Sequence, residues 1–495
     1  MKKNISLLIV LLVVLNSCKK FLDERPTGSL TPETNVTSPT IARAFANSAY
    51  SNLTTLDEGS GGYGGNTASL MEFMTGKASG NAQTESFRFY NLTYDAQSFY
   101  IDTWWQGLYG GVSNCNLALQ KIAEIPQDAV TKANMLAEVH TLRALYYFYL
   151  VRMYGGVPKI MEVVSDLKNV QPARATAKEI YDEIIIPDLL LAEAAALPWQ
   201  DNTGKVSMGA VKSLLADVYL TYAGFPVAGG AQFYAESAKR SKDVIDKGGY
   251  TLFPEYTDMI KPSNKNTGEF IWQVQFAAGI DDNDLTAKAL PQYQDIAVYS
   301  DEFGGLVPTA EFISSYPEGD KRTEENQFYY TKHTRNGSTE VITLGGHYIY
   351  KWFDINAVTN TAHSDLNYTI YRLADVLLMY AEAQNNADGS PNAAANNAVN
   401  LIRRRASLAP LPALGHDVFD KEVKTQRYLE LAYEGKIWFD MLRTRKVRND
   451  LTGNFDDFIG HTTIWGKTFT ENQLLFPIPL REINNNPNLK QNKGF

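Results

Sequence analysis

Hydrophobic side chains recur at three- and four-residue spacing towards both ends of the chain, and this period predicts amphipathic α-helices. Nine helices are predicted, over about residues 40–53, 97–124, 130–154, 177–196, 207–222, 231–247, 370–386, 391–407 and 416–445. Between residues 248 and 368 the helical period is lost, and strand-like runs such as 270–276 alternate with turns rich in Gly, Asn and Asp. The pattern predicts a mainly α protein whose helical scaffold carries an irregular, loop-rich lobe with short strands.

Three pairs of the predicted helices resemble one another. The run ADVYL at 216–220 is repeated as ADVLL at 374–378, and each run is followed by a second helix. The helices at 134–154 and 177–196 form a third pair with a longer loop. Antiparallel pairs of this size resemble tetratricopeptide units of about 34 residues, which stack because one pair cannot bury both of its faces. A generic helical bundle is the alternative.

The first residues have the pattern of an export signal. Lys2 and Lys3 precede an eleven-residue run with one Ser among apolar residues, which is too short to span a bilayer comfortably. The run ends in Leu-Asn-Ser-Cys18, which resembles the lipobox of bacterial lipoproteins. We therefore predict a signal peptide at 1–17, acylation of Cys18 and a polar tether over 18–39. A chance cysteine after an ordinary signal peptide is the alternative.

Composition and charge narrow the classes of function. The 495 residues carry a formal net charge of -9, which argues against nucleic-acid binding because that needs a basic surface. Two cysteines cannot make a disulfide-rich scaffold, and Cys115 lies among apolar neighbours that predict a buried thiol. Tyr and Asn are abundant, at 28 and 35 residues, which suggests a wet surface that holds a polar ligand.

Motifs that would indicate catalysis are missing from the sequence. None of the six histidines forms H-E-x-x-H, and there is no G-x-S-x-G elbow or Walker loop. The glycine run at 59–64 fits G-x-G-x-x-G but follows a helix rather than a strand, so a flexible loop is predicted there. The acidic run at 281–284 lacks EF-hand spacing and is predicted to be a solvated loop. We predict no enzyme activity, no cofactor and no metal. A pair of carboxylates like that of a glycoside hydrolase remains open among 55 acidic residues.

Clusters of cations and a tryptophan pair have structural explanations. Trp104 and Trp105 lie in a helical pattern, so at least one should be in the core. Cations near the ends of predicted helices should favour the helix dipole and cover last-turn carbonyls. These cations are Arg403, Arg404, Arg405, Arg443, Arg445, Lys446 and Arg448.

Several longer segments carry a family resemblance. They are RALYYFYLVRMYGGVPKI (143–160), RLADVLLMYAEAQN (372–385), RYLELAYEGKIWFDMLRTRK (427–446) and LFPIPLREINNNPNLKQNKGF (475–495). Together with the start at Cys18, the sequence resembles the SusD/RagB family of Bacteroidetes outer-membrane lipoproteins. The resemblance implies a tetratricopeptide-like fold, with a scaffold at 40–247 and 370–446 and an extended tail at 472–495.

The resemblance also implies a role. Family members are surface-exposed lipoproteins that bind an oligosaccharide, or in some members a peptide, and pair with a SusC-like TonB-dependent transporter. They bind and hand over their ligand without chemistry. The resemblance further implies that the stacked helix pairs form much of the face that docks on the transporter. It also implies that residues 40–495 form one SusD-like domain.

The ligand is predicted to bind two loop-rich stretches within 57–95 and 248–368. The part from 276 to 368 holds fourteen aromatic residues among 93, more than a helical core should absorb. Exposed rings stack on the apolar faces of sugars, while Arg, Asn and Asp bond the hydroxyls. The predicted ligand contacts are Tyr63, Arg88, Tyr90, Tyr94, Tyr293, Tyr299, Tyr348 and Trp352.

Overall fold

The long helices begin and end close to where the hydrophobic period predicts them. The structure is a computed structural model that describes residues 38–56, 67–80, 86–164 and 171–495. Cys18, most of the predicted tether and the glycine-rich loop with Tyr63 lie outside the described residues. The main helices are α1 (Pro39–Ser48), α2 (Thr67–Met74), α3 (Phe99–Glu124), α4 (Ala129–Tyr154), α5 (Ala177–Ile180, continuing through the π-helical Tyr181–Ile185 into Ile186–Glu193), α6 (Met208–Ala223), α7 (Ala231–Lys247), α8 (Leu373–Asp388), α9 (Ala393–Arg405), α10 (His416–Glu430) and α11 (Ile437–Thr444).

The helices pack as pairs in a continuous stack, as the internal repeat predicts. Helix α4 packs between α3 and α5, α7 packs between α6 and α8, and α8 also contacts α9 and α10. Helix α4 is enclosed so completely that every residue from 141 to 151 is buried. Its N-terminus is capped by the Asp128 carboxylate, which accepts hydrogen bonds from the N–H groups of Val130 and Thr131 at 2.9 and 3.0 Å. Trp104, Trp105 and Cys115 of α3 are all buried, as predicted.

The helix predicted over 416–445 is wrong in one respect, because the chain turns between α10 and α11. Tyr433 and Gly435 adopt the left-handed conformation, with φ of 64° and 66°. The carbonyls of Glu430 and Ala432 accept hydrogen bonds from Lys351 Nζ at 3.1 and 3.0 Å. Since those carbonyls bond a side chain from the lobe, the local helical period does not decide the conformation here.

The lobe between α7 and α8 contains short antiparallel strands. Within the described residues the strands are β1 (Ala78–Ser79), β2 (Phe270–Val274), β3 (Val307–Pro308), β4 (Tyr329–Thr334), β5 (Val341–Ile349), β6 (Tyr368–Arg372), β7 (Lys446–Arg448) and β8 (Phe455–Asp457). They pair as β1–β3, β2–β6, β4–β5 and β7–β8. The mainly α class with short strands in an irregular lobe is thus confirmed.

A buried network of charges joins the lobe to the helices. Glu430 at the end of α10 accepts hydrogen bonds from Arg372 and Arg405 at 2.8 and 2.7 Å, and from Arg322 at 3.3 Å. The network contains the cations Arg322, Lys351, Arg372 and Arg405 and the carboxylates Asp320, Glu269, Glu430 and Glu434, all of them buried.

The network corrects part of the helix-dipole interpretation. Arg405 is buried between Glu269 and Glu430, and Arg443 is buried against Glu382. Arg445 does cover a last-turn carbonyl, that of Leu442 at 2.7 Å. Buried ion pairs, rather than the dipole, explain the first two cations.

The C-terminal tail is fastened to the scaffold by carboxamides. Gln491 bonds both the N–H and the C=O of Ile478 at 2.7 Å. Asn492 Nδ2 donates to the carbonyls of Tyr154 and Phe476 at 3.0 and 2.7 Å. The tail therefore donates to a carbonyl of the last turn of α4, which gives Gln491 and Asn492 near the C-terminus a structural role. Among the described residues, the helices are all too short or too polar to cross a membrane.

Candidate ligand-binding site

Four aromatic residues of the lobe pack with aliphatic side chains into a small hydrophobic core. Buried Leu290, Ile296, Tyr330, Phe353 and Val358 pack together, with the half-buried Tyr348 and Tyr350 against them. Twelve of the fourteen aromatic residues from 276 to 368 are buried or half-buried, so most of these rings are packed against other side chains. The two exposed ones are Tyr293 and Tyr299, at 84% and 60%.

The two exposed tyrosines lie on a loop that one carboxylate holds in shape. Glu302 accepts hydrogen bonds from the backbone N–H groups of Gln294, Ile296 and Ala297 at 2.6, 2.5 and 2.9 Å. Three donors on one carboxylate fix the chain between the two tyrosine positions. The loop is therefore ordered while its aromatic rings remain in solvent.

The same loop holds backbone strain. Tyr293 and Asp295 have φ of 56° and 53°, in the left-handed region that costs side-chain-bearing residues energy. The carbonyl of Asp295 accepts the N–H of Asn336 at 3.0 Å, which ties the loop to the turn between β4 and β5. Strain that surrounding contacts maintain is common at ligand-binding loops.

A groove with a cavity volume of about 680 Å³ runs beside this loop. Ile296 and Val298, which lie between the exposed tyrosines in sequence, form part of one wall. The turn and strands of the β4–β5 hairpin and the segment from Tyr350 to Thr359 form the others. The volume falls within the range of about 300–1,000 Å³ typical of small-ligand sites.

Both polar and aromatic groups line the groove. Tyr350 lines it and stacks on Phe353 with ring centroids 5.1 Å apart. Burial lowers the pKa of His333, so its imidazole is neutral near pH 7 and can both donate and accept a hydrogen bond. Such groups can bind hydroxyls beside an apolar ring face. The polar lining residues are Glu325, Asn326, Lys332, His333, Thr334, Arg335, Asn336, Ser338 and Thr359.

The predicted contacts of the first stretch lie in a different environment. Tyr90 is buried against Phe73 and Trp465, with centroid distances of 5.3 and 5.4 Å, and its hydroxyl donates to the carbonyl of Gly80. Arg88 is half-exposed and forms an ion pair with Asp95 at 3.3 Å. The expectation of an exposed ring was wrong for Tyr90, because Trp465, from a distant part of the sequence, packs against it.

Tyr94 and Trp352 are also buried. Tyr94 stacks on Phe89 and on the last residue, Phe495, with centroids 5.2 and 6.0 Å apart, and burial raises its pKa. Trp352 stacks on Tyr368 at 6.0 Å. Neither offers the exposed ring face that was expected. Tyr348 is half-buried against Tyr330 at the edge of the lobe core.

The two loop-rich stretches do meet. Ala78 and Ser79 of β1 pair with Pro308 and Val307 of β3, and the N–H of Thr309 donates to the carbonyl of Lys77 at 2.9 Å. Of the residues singled out from sequence, Tyr293 and Tyr299 thus share a loop beside the groove. Tyr350, His333 and Asn336 line the groove and were missed, because the sequence does not show that the β4–β5 hairpin forms a wall of the groove. Among the described residues, no cluster of three potential metal ligands occurs.

Comparison with known proteins places this architecture. A family model described as the SusD family matches residues 320–495, and one described as starch-binding and associating with the outer membrane matches residues 20–220. A crystal structure of a SusD superfamily protein from Parabacteroides distasonis is 53% identical, with a TM-score of 0.90, and the match covers 93% of this chain and 100% of that one. The chain belongs to the SusD/RagB family.

More distant members of the SusD/RagB family align over nearly the full length. SusD-like protein P25 from Formosa agariphila is 24% identical over 100% of this chain and 99% of its own. A structure described as a laminarin-binding SusD-like protein is 23% identical and has a TM-score of 0.76, over 93% of this chain and 100% of that one. The second likeness shows a shared fold. The predicted recognition of the SusD/RagB family and its tetratricopeptide-like helix pairs is confirmed.

Proposed function

We propose that this protein is a surface lipoprotein that binds an oligosaccharide on its loop-rich lobe and delivers it to a SusC-like TonB-dependent transporter. The observation that carries the proposal is the pair of exposed rings, Tyr293 and Tyr299, on an ordered loop that walls a polar-lined groove of about 680 Å³. Two exposed rings on one ordered loop offer flat apolar faces on which a ligand can stack.

The chemistry of the groove fits a sugar better than an apolar ligand. Sugar rings present C–H faces that stack on aromatic side chains, and hydroxyls that need donors and acceptors at their rims. Asn326, Asn336 and Ser338 supply both kinds of group along the groove. The laminarin-binding SusD-like structure, with the same fold, supports an oligosaccharide as the ligand class.

In the proposed function, the lobe binds the oligosaccharide without cleaving it. Measuring affinity by calorimetry against laminarin-, xyloglucan- and starch-derived oligosaccharides and against peptides tests the ligand class, and chromatography of the same mixtures tests for cleavage. We expect saturable binding of at least one oligosaccharide and no shorter products. Binding of peptides alone would replace the sugar by a peptide ligand, and accumulation of shortened oligosaccharides would show a hydrolase.

Cys18 carries the acyl anchor in this proposal. Several acyl chains give lasting membrane attachment at about 0.8 kcal/mol per buried methylene. We expect the Cys18→Ala variant to leave the membrane fraction, whereas a variant that stays membrane-bound and surface-exposed would contradict the anchor.

The stacked helix pairs provide the docking face for the transporter. A rigid helical face suits a lasting interface, while the lobe remains free to bind the ligand. We expect detergent-solubilised native protein to purify together with a large barrel protein. Purification of the protein alone would count against the partner.

A further inference from the structure

A second cavity lies in the helical scaffold, where α4, α6 and α11 end against the C-terminal tail. Its volume is about 400 Å³, within the range of small-molecule sites, and it shares no residue with the lobe groove. Its walls are mostly apolar and come from Val151, Tyr181, Phe225, Phe439, Leu442 and Leu475.

The walls of this cavity are held in place by polar contacts. Asn492, which lines the cavity, bonds the carbonyls of Tyr154 and Phe476, and Arg174 donates to the carbonyl of Tyr154 at 2.8 Å and to Asn492 Oδ1 at 2.8 Å. These bonds hold the tail against the end of α4. The cavity is therefore preformed, which lowers the cost of filling it.

Three of the four cations that line the cavity have anionic partners. Arg443 is paired with Glu382, and Lys493 with Glu471. Arg152 lies 3.8 Å from an oxygen of Asp217 and stacks over the Phe439 ring at 3.9 Å. Their charges are offset within the protein.

The fourth cation, Arg445, has no carboxylate partner in the part of the chain that the structure describes. Its guanidinium donates to the carbonyl of Leu442 at 2.7 Å and lies 5.1 Å from the centre of the Phe225 ring. Burial lowers its pKa, whereas carboxylates raise the pKa of the neighbouring Arg443 well above the usual value. Arg445 is thus a half-buried positive charge at an apolar cavity, which a bound anion would offset.

We propose that this cavity binds a small amphipathic organic anion, with its carboxylate at Arg445 and its apolar body between Phe439, Tyr181 and Leu475. A carboxylate suits the fork of a guanidinium, and the surrounding rings and Leu side chains bury an aliphatic or aromatic body. The site is independent of sugar binding on the lobe.

The test uses calorimetry with octanoate and 3-phenylpropanoate as probes and octanamide as the uncharged match. We expect the native protein to bind octanoate at least tenfold more tightly than octanamide. Arg445→Met should weaken octanoate binding at least tenfold. Arg404→Met removes an exposed arginine of α9 and should change nothing.

A second variant checks the location. Ala177 lines the cavity, so Ala177→Phe should fill it and abolish binding of both acids while the circular dichroism spectrum is retained. The proposal is overturned if neither acid binds at millimolar concentration, if Arg445→Met binds octanoate as the native protein does, or if binding survives Ala177→Phe.

Discussion

Replacing Glu430 by Gln should remove the central anion of the network that joins the lobe to the helices. The side chain is fully buried and touches three guanidinium groups, those of Arg322, Arg372 and Arg405. Burial alone would raise the pKa of Glu430, but these three cations lower it well below the usual range. The carboxylate is therefore ionised in the folded protein. It balances the positive charge of the surrounding guanidinium groups, which are buried and not screened by water.

The size of the effect follows from the contacts. Glu430 Oε1 accepts two short bonds, at 2.8 and 2.7 Å, and Oε2 accepts two longer ones, at 3.3 Å, from Arg322 and from the hydroxyl of Tyr256. A glutamine oxygen can still accept the short pair, but its NH₂ group then faces two donors and the network gains one net positive charge. Breaking a buried ion pair from one side costs about 3–5 kcal/mol of unfolding free energy.

Urea denaturation followed by tryptophan fluorescence measures this loss at pH 7. Glu318→Gln makes the same chemical change at an exposed position and should shift the unfolding free energy by less than about 0.5 kcal/mol. A loss below about 1 kcal/mol for Glu430→Gln would refute the reasoning, because it would mean that the network tolerates the unbalanced charge.

The pH dependence of the unfolding free energy provides a second test of the role of Glu430. The folded pKa of Glu430 lies below that of the unfolded chain, so its contribution is fully present above the usual glutamate range and is lost as the pH falls towards the folded pKa. The stability difference between the native protein and Glu430→Gln should therefore shrink below about pH 4. A difference that stays constant into acid would contradict the charge-based explanation.

Three further perturbations follow from named contacts. Glu302→Gln removes the charge that three backbone N–H groups share, so hydrogen exchange of residues 294–297 should accelerate and oligosaccharide affinity should fall; unchanged exchange would contradict the role of Glu302. Asn492→Ala leaves the carbonyl of Phe476 without its donor and removes one of the two donors to the carbonyl of Tyr154, so it should cost about 1–3 kcal/mol in thermal unfolding, and no loss would show that the tail does not need this contact. Burial lowers the pKa of Lys77 to about 8, so the unfolded chain binds the ammonium proton more tightly than the folded protein does. The burial of the charged ammonium group destabilises the folded protein, and this cost is relieved as the pH rises from about 8 to 10.5. That rise in stability should be absent from Lys77→Met, and an equal rise in both proteins would contradict it.

The helices could be predicted from sequence because local spacing decides them. The predicted bounds of 231–247 match α7, whose polar and apolar faces are separated along the whole helix. The turn after α10 could not be predicted in the same way. Lys351 and Arg372, which are distant in sequence, donate hydrogen bonds to the carbonyl of Glu430 at the end of that helix. Hydrogen bonds between residues distant in sequence do not change the local hydrophobic spacing, so that spacing does not predict them.

The candidate site was partly predictable for a related reason. The stretch from 276 to 368 was predicted to be loop-rich from its loss of helical period, and Tyr293 and Tyr299 are exposed there. Burial of Tyr90 and Tyr94 depends on Trp465, Phe476 and Phe495, which lie more than 370 residues away in sequence. The sequence therefore shows that a tyrosine lies in a loop, but it does not show which distant segment covers the ring.

Calorimetry of the best-bound oligosaccharide with the native protein, Tyr293→Ala and Tyr299→Ala shows whether the sugar binds on the two exposed tyrosines. Stacking of an aromatic ring on a nucleic-acid base, used here as an analogue, contributes about 1–3 kcal/mol, so each variant should bind roughly 5- to 150-fold more weakly. Phe225→Ala, at a 47% exposed aromatic outside the lobe, should bind as tightly as the native protein. If the native protein binds an oligosaccharide and both tyrosine variants retain its full affinity, the sugar does not bind at this loop and the proposed site is contradicted.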